Sequence, residues 1–324
     1  MRGRSFGTPL AALAVSWLFL VSVPSVSAEQ SPPADIHTGL AWGTPTEVAS
    51  SGSLPTWSRL VAGPDGSLSL FYDANGLWQL GLDASGRPLN APRLLGRESP
   101  AFWSASGMAA YFAKDASGNI WNVWDDSGTD IHIRKTDARG RTTFSDRVLR
   151  SNPSGAHGAS VAIAPDGIVA GYTSFEPGFG GYRFVLASVD GTGAVTSEMY
   201  IAADEASQLL DGVFLVSPDG HFHVVLSTAS GGTYIELDST GTIQSRLAVP
   251  LLQGSALPVM AQGADGTVFL AWNGQEALSR GRIAACRIRG QTAGSIYITS
   301  SAEALTEPSL AIQPDGEALL CWLR

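Results

Sequence analysis

Residues Glu307–Trp322 read EPSLAIQPDGEALLCW: an apolar run as far as Ile312, the turn Pro314-Asp315-Gly316, and a second apolar run ending on Trp322. Asp-Gly between two apolar runs signals a β-hairpin, because glycine takes the positive φ that such a turn demands. The unit recurs along the chain. Aligned on the turn glycine, it stands at Gly66 (GPDGSLSLFY), Gly118 (DASGNIWNVW), Gly167 (APDGIVAGYT), Gly220 (SPDGHFHVVL), Gly266 (GADGTVFLAW) and Gly316 (QPDGEALLCW). Subtraction gives intervals of 52, 49, 53, 46 and 50 residues. Six residues beyond each glycine come Tyr72, Trp124, Thr173, Leu226, Trp272 and Trp322, four of the six aromatic. A period near this length, built of strands and turns, is the signature of a β-propeller blade.

A second glycine turn follows each hairpin, at Asp83–Gly86, Asp137–Gly140, Asp190–Gly193 and Asp238–Gly241, with a looser version at Gly290–Gly294. Each unit therefore reads as four short antiparallel strands. One such sheet cannot bury both faces alone, so neighbours stack and a ring removes the exposed ends. The last hairpin stops two strands short of a unit, and Ile36–Ser50 has no hairpin of its own. The expected fold is an all-β, six-bladed β-propeller of four-stranded antiparallel blades. Its N-terminal segment completes the C-terminal blade.

Met1–Ala28 reads as a secretory signal peptide, with Arg2 and Arg4 ahead of a largely apolar Leu10–Val23 and a small-residue cleavage site at Val26-Ser-Ala28. A short leader, residues 29–35, then precedes a single propeller domain over residues 36–324. The chain is thus expected outside the cytoplasm, secreted or periplasmic, as a monomer without a membrane span. Removing the two arginines leaves a formal charge of 18 − 29 = −11, with Lys114 and Lys135 the only lysines. That balance excludes a nucleic-acid binder, which needs clustered positive charge. Cys286 and Cys321 fall in strands of adjacent blades, and export permits a disulfide between them.

Segments that lead into the inner strands, and the loops between second and third strands, share one face of a propeller. Trp57, Arg59, Trp103, His157, Gln208, Asp211 and Glu307 are the candidates there. The insertion Ser174–Tyr182 adds Phe175, Phe179 and Tyr182, aromatic rings suited to stacking on a sugar or planar ligand. Asp125–Asp130 groups three carboxylates with two hydroxyls, a density of hard oxygens that suits Ca²⁺ or an ordinary turn. His221 and His223 share one strand side and are expected to face solvent. No metal set or cofactor motif is read.

The run Pro-x-apolar-Ala-x-x-Pro-Asp-Gly followed by alternation to Trp322 resembles the repeats of bacterial extracellular β-propellers. More distantly it is similar to the Asp-box repeats of sialidase-like propellers. The resemblance spans most of residues 52–322 and implies a fold. It assigns no arginine triad, since the Arg-Ile-Pro motif of those sialidases is absent. The residues favour a binding module for a glycan or other cell-surface polymer. The alternatives are a carbohydrate-active hydrolase or lyase using Asp211 and Glu307, with His157 as base, and a scaffold for envelope proteins.

Overall fold

The computed structural model describes residues 17–23, 46–50, 58–62, 68–73, 77–83, 86–96, 111–126, 128–137, 141–201, 209–228, 231–249, 258–274, 282–294, 297–298, 306–312 and 318–323. In chain order the strands begin with β1 (Trp17–Val23) and β2 (Thr46–Ser50). Next come β3 (Ser58–Ala62), β4 (Leu68–Asp73), β5 (Leu77–Leu82) and β6 (Arg93–Gly96), then β7 (Tyr111–Lys114), β8 (Ile120–Asp126), β9 (Asp130–Thr136) and β10 (Thr142–Ser151). β11 (Ala156–Ala164), β12 (Gly167–Glu176), β13 (Gly181–Val189) and β14 (Val195–Ile201) follow, then β15 (Leu209–Val216), β16 (Phe222–Thr228), β17 (Gly231–Leu237) and β18 (Ile243–Val249). The last are β19 (Val259–Gln262), β20 (Val268–Gly274), β21 (Arg282–Arg289), β22 (Thr292–Ala293), β23 (Tyr297–Ile298), β24 (Thr306–Ile312) and β25 (Ala318–Leu323).

The strands form a β-propeller of four-stranded antiparallel blades, with five blades, rather than the expected six, each built from a continuous stretch of the described chain. β3–β6, β7–β10, β11–β14 and β15–β18 each make one sheet from a continuous stretch of chain, paired in sequence order. In the sheet from β19 onward the outer strand is split, and β22 and β23 both pair with β21. The split follows the looser turn seen in the sequence, where Gly294 donates to the Arg287 carbonyl at 2.7 Å. A further sheet joins the two ends of the chain in the order β2-β1-β25-β24. β24 lies against both β3 and β19, and the Leu60 N–H on β3 donates to the Ser309 hydroxyl on β24.

This last sheet departs from expectation. Both of its outer strands were assigned to Ile36–Ser50; Thr46–Ser50 does take the outermost place, but Trp17–Val23 lies between it and β25. The run WLFLVSV is apolar and free of turn formers, and it pairs without interruption from Leu18↔Leu323 to Val23↔Ala318. Residues 36–45 lie outside the described residues.

The turns follow the local chemistry. In the hairpins Gly118, Gly220 and Gly266 have φ of 78°, 85° and 79°, and each donates back to the residue three earlier at 2.9–3.0 Å. Only glycine adopts that conformation without a Cβ penalty. In the second turns the aspartate accepts backbone N–H groups: Asp190 from Thr192 and Ala194, Asp238 from Thr240 and Thr242.

The core lies between sheets. Trp121, Val123, Ile131 and Ile133 of one blade pack on Ala156, Tyr172, Val185 and Ala187 of the next. Leu60, Leu70 and Tyr72 meet Ala311 and Leu319. Val259, Ala271 and Ile283 meet Leu320. Phe184 and Phe214, with centroids 6.3 Å apart, occupy the space left by Gly171 and Gly212, where an added Cβ would come within 2.4–2.5 Å of a ring carbon. Cys286 is a free, buried thiol, and burial pushes its pKa up to about 12. Among the described residues no helix is long and apolar enough to cross a membrane.

Trp272 is fully buried, whereas Ile243 is 49% exposed. Trp272→Ala is expected to cost about 3–5 kcal/mol and Ile243→Ala less than about 0.5 kcal/mol in urea titrations of the whole chain.

Candidate functional site at the leading ends of the inner strands

Bulges interrupt β11 between His157 and Ser160, β15 between Leu209 and Asp211, and β24 between Thr306 and Ser309. All three lie at the same place in their repeats: Gly158, Asp211 and Glu307 each stand nine residues before a turn glycine. A bulge re-aims side chains, and here it brings parts of four blades together near the axis.

Gly158 is the hub. Its φ is 68°, and its N–H donates to Asp125 Oδ2 of the neighbouring blade at 3.4 Å. On its other side a Cβ would stand 2.3 Å from Asp211 Oδ1 and 3.7 Å from Thr173 Oγ1. The position thus demands glycine for both conformation and space. Asp125 and Asp211 are each 3% exposed and Arg59 is 4% exposed. Burial, and then the nearby Asp125, push the Asp211 carboxyl up to about 7, against the N–H of Gly212 and the charge of Arg59. Gly212 donates to Asp211 Oδ1 at 2.7 Å. The Arg59 guanidinium lies 4.9 Å from the centre of the Tyr111 ring. Tyr111 in turn donates across the axis to the Pro258 carbonyl at 3.4 Å.

His157 joins the third blade to the fourth, with Nε2 2.8 Å from the Leu210 carbonyl. Nε2 must carry the proton in that contact, and burial lowers the imidazole pKa, so the ring is neutral at neutral pH. Tyr182 packs edge-on to His157 at 5.4 Å, and Phe175 packs edge-on to Tyr182 at 5.3 Å.

The insertion is a hairpin extension rather than an irregular loop: β12 runs to Glu176, a 3₁₀ turn spans Pro177–Phe179, and β13 starts at Gly181. It divides the aromatic set. Phe175 and Tyr182 turn inward, while Phe179 is 60% exposed and meets Tyr200, 39% exposed, at a centroid distance of 6.1 Å. Arg183 lies 5.2 Å over the Phe179 ring. Beneath them, Tyr200 and Tyr172 donate to the two oxygens of Glu198 at 2.6 and 2.7 Å. Arg150 bridges Glu176 at 2.6 Å and Glu198 at 3.5 Å.

Of the residues singled out from the sequence, Arg59 and Asp211 converge as buried groups and His157 as a half-buried one, rather than as an open rim. Phe179 faces elsewhere. Trp57, Trp103 and Gln208 lie outside the described residues, as does the Glu307 side chain. Asp125 is not a surface calcium ligand but part of the axial cluster, and among the described residues no three His, Cys, Asp or Glu side chains gather as a metal set. The histidine pair also differs from expectation. His221 is half-buried near Glu236, and His223 is buried, 2.6 Å from the Tyr234 hydroxyl, because its strand face is covered by the next blade. Sequence reasoning missed Asp125, Thr173 and Gly158. A signal existed: seven residues beyond the turn glycine stand Asp73, Asp125, Ser174, Ser227 and Asn273, polar in five of the six repeats, with Leu323 the exception.

No protein-family model matches this sequence, and no curated protein matches it. The fold does match solved structures, which are β-propeller proteins. A protein of unknown function from Dyadobacter fermentans superposes with TM-score 0.56 at 12% identity, covering 83% of this chain and 94% of that one. A subtype N11 neuraminidase-like protein of the flat-faced bat isolate H18N11 gives TM-score 0.52 at 9% identity, covering 84% and 89%. At these identities the likeness is one of fold.

The raised Asp211 carboxyl makes the folded state hold a proton that the unfolded chain has released, so stability falls as pH rises from about 4 to about 7. Asp211→Asn is expected to flatten that slope and to gain about 2–4 kcal/mol over wild type at pH 8 in urea titrations. A wild-type slope that survives the substitution would assign it to other groups.

Proposed function

We propose that this protein is a secreted, monomeric β-propeller that binds a glycan or cell-surface polymer through its loop face. The observation that carries the reading is the exposed Phe179–Tyr200 pair with Arg183 beside it. An aromatic face takes up the apolar face of a pyranose, and a guanidinium with spare donors meets its hydroxyls. The Glu198 network orders Tyr200 beforehand through hydrogen bonds to Tyr200, Tyr172 and Arg150. Ordering before binding lowers the entropic cost of association. In this reading Trp57, Trp103, Gln208 and Glu307 extend the same face, and Arg59, His157 and Asp211 hold the inner strands in place. Binding is preferred to glycoside hydrolysis because Asp211 is buried and its carboxyl is shared with structural partners.

A glycan array probed with wild type and Phe179→Ala tests the proposal. The expected result is binding to a narrow set of sugars, weakened about tenfold or more by the substitution, with an unchanged melting temperature because the ring is exposed. An array profile identical for the two proteins removes the platform from the reading.

The same proposal makes residues 1–28 a leader cleaved after Ala28. Strand β1 would leave with it, and Ile36–Ser50 would supply both outer strands beside β25, closing a ring of six blades. What supports closure is that β24 lies against both β3 and β19. The mass of the exported protein should correspond to a chain beginning at Glu29, and residues 29–324 alone should unfold in one cooperative transition. An exported chain that keeps Met1, or a 29–324 chain without a cooperative transition, contradicts it.

A further inference from the structure

At the opposite, hairpin end of the axis the structure holds a cavity of about 650 Å³. It lies between the ends of β3, β7, β11, β15 and β19, and its wall includes Val61, Ala113, Ala162, Leu215 and Ala261. Each of these five stands five residues before its turn glycine, so a small or aliphatic side chain recurs around the axis. Polar groups in the wall are few: Lys114, Ser217 and Gln262. The volume suits a small molecule rather than a protein segment.

The hairpins that rim this cavity are acidic. Asp115 and Asp166 directly follow Lys114 and Pro165 of the wall. Asp219 accepts from the Ser217 hydroxyl of the wall. The Asp265 carboxylate stands against Gly263, beside Gln262. Hydrogen bonds from Ser217 and from Thr267 hold Asp219 and Asp265 below the usual carboxylate range, so both are charged at neutral pH. Glu236 adds a fifth carboxylate beside His221. Among the described residues the cations on this end are Lys114, Lys135 over the Trp121 ring, Arg287 over the Phe269 ring, and Arg289 at 4.0 Å from Asp265. Five carboxylates against these four cations leave 5 − 4 = 1 net negative charge among the described groups. Farther out, the second turns add Asp190 and Asp238, both held below the usual range by hydrogen bonds within the turn. The whole chain carries −9.

We propose that the hairpin end of the central channel binds a small amphipathic cation, its apolar body in the cavity and its charged head among the rim aspartates. An apolar wall rewards removal of the body from water, and the rim field attracts the head and repels an anion of the same length. Lys114 opposes the head and limits the affinity. This site is independent of the loop-face reading, which concerns the other end of the molecule.

Calorimetric titration of the whole chain with octyltrimethylammonium and with octanoate tests the proposal, since the two probes share a tail and differ in charge. The cation is expected to saturate one site and to bind about tenfold or more tightly than octanoate. Its affinity should weaken as salt is raised to about 0.15 M. Ala261→Trp, which fills the cavity, should reduce that affinity at least about tenfold without lowering the melting temperature. Lys114→Ala should strengthen it roughly threefold to fivefold. Tighter octanoate binding, weaker cation binding in Lys114→Ala, or cation binding indifferent to both variants overturns the proposal. Concentration-dependent dimerisation abolished by Ala261→Trp would also overturn it, assigning the face to a second copy of the chain.

Discussion

A sheet whose central strands are apolar on both sides cannot stand in water by itself. β12 is buried along seven consecutive residues, and β16 along six, so both side-chain directions of each strand lie in protein. Neither sheet has a solvent face to offer, and each must therefore find a neighbour on either side. The stack of blades, the aromatic residues between them and the small residues at their closest approaches all answer that one requirement. Gly171 and Gly212 illustrate it, since any side chain there would displace the Phe184 and Phe214 rings that fill the gap between two blades.

Burial on both faces leaves polar chemistry only at the ends of the axis, and the two ends differ. At the leading ends of the inner strands, bulges admit Asp125, Asp211 and Arg59, and a backbone N–H from Gly158 joins two blades. At the hairpin ends the wall is alanine, valine and leucine. Tyr111 lies between these zones, with Arg59 on its ring and its hydroxyl on the far blade.

Much of the fold was legible because its determinants are local. A turn glycine and its preceding aspartate act within four or five residues, so Asp190–Gly193 and Asp238–Gly241 could be read one at a time. The site was legible only in part. Arg59, His157 and Asp211 were found from their place ahead of the inner strands, yet their burial depends on what neighbouring blades bring against them. Asp125 was hidden in a turn-like string of aspartates, and its role depends on reaching Gly158, 33 residues away. The place of Trp17–Val23 beside β25 was not legible, because an apolar run does not say which distant strand it will pair with.

The sheet that joins β1 and β2 to β24 and β25 has a consequence for the order of events in synthesis. β1 and β2 can pair with each other early, but the sheet is complete only once β24 and β25 have been made. Until then β3 lacks the neighbour that covers its apolar face, and an unpaired β25 leaves a bare strand edge open to other chains. The interval between making the chain and sealing it is therefore when this protein is most exposed to aggregation, and a chaperone that shields strand edges would act there.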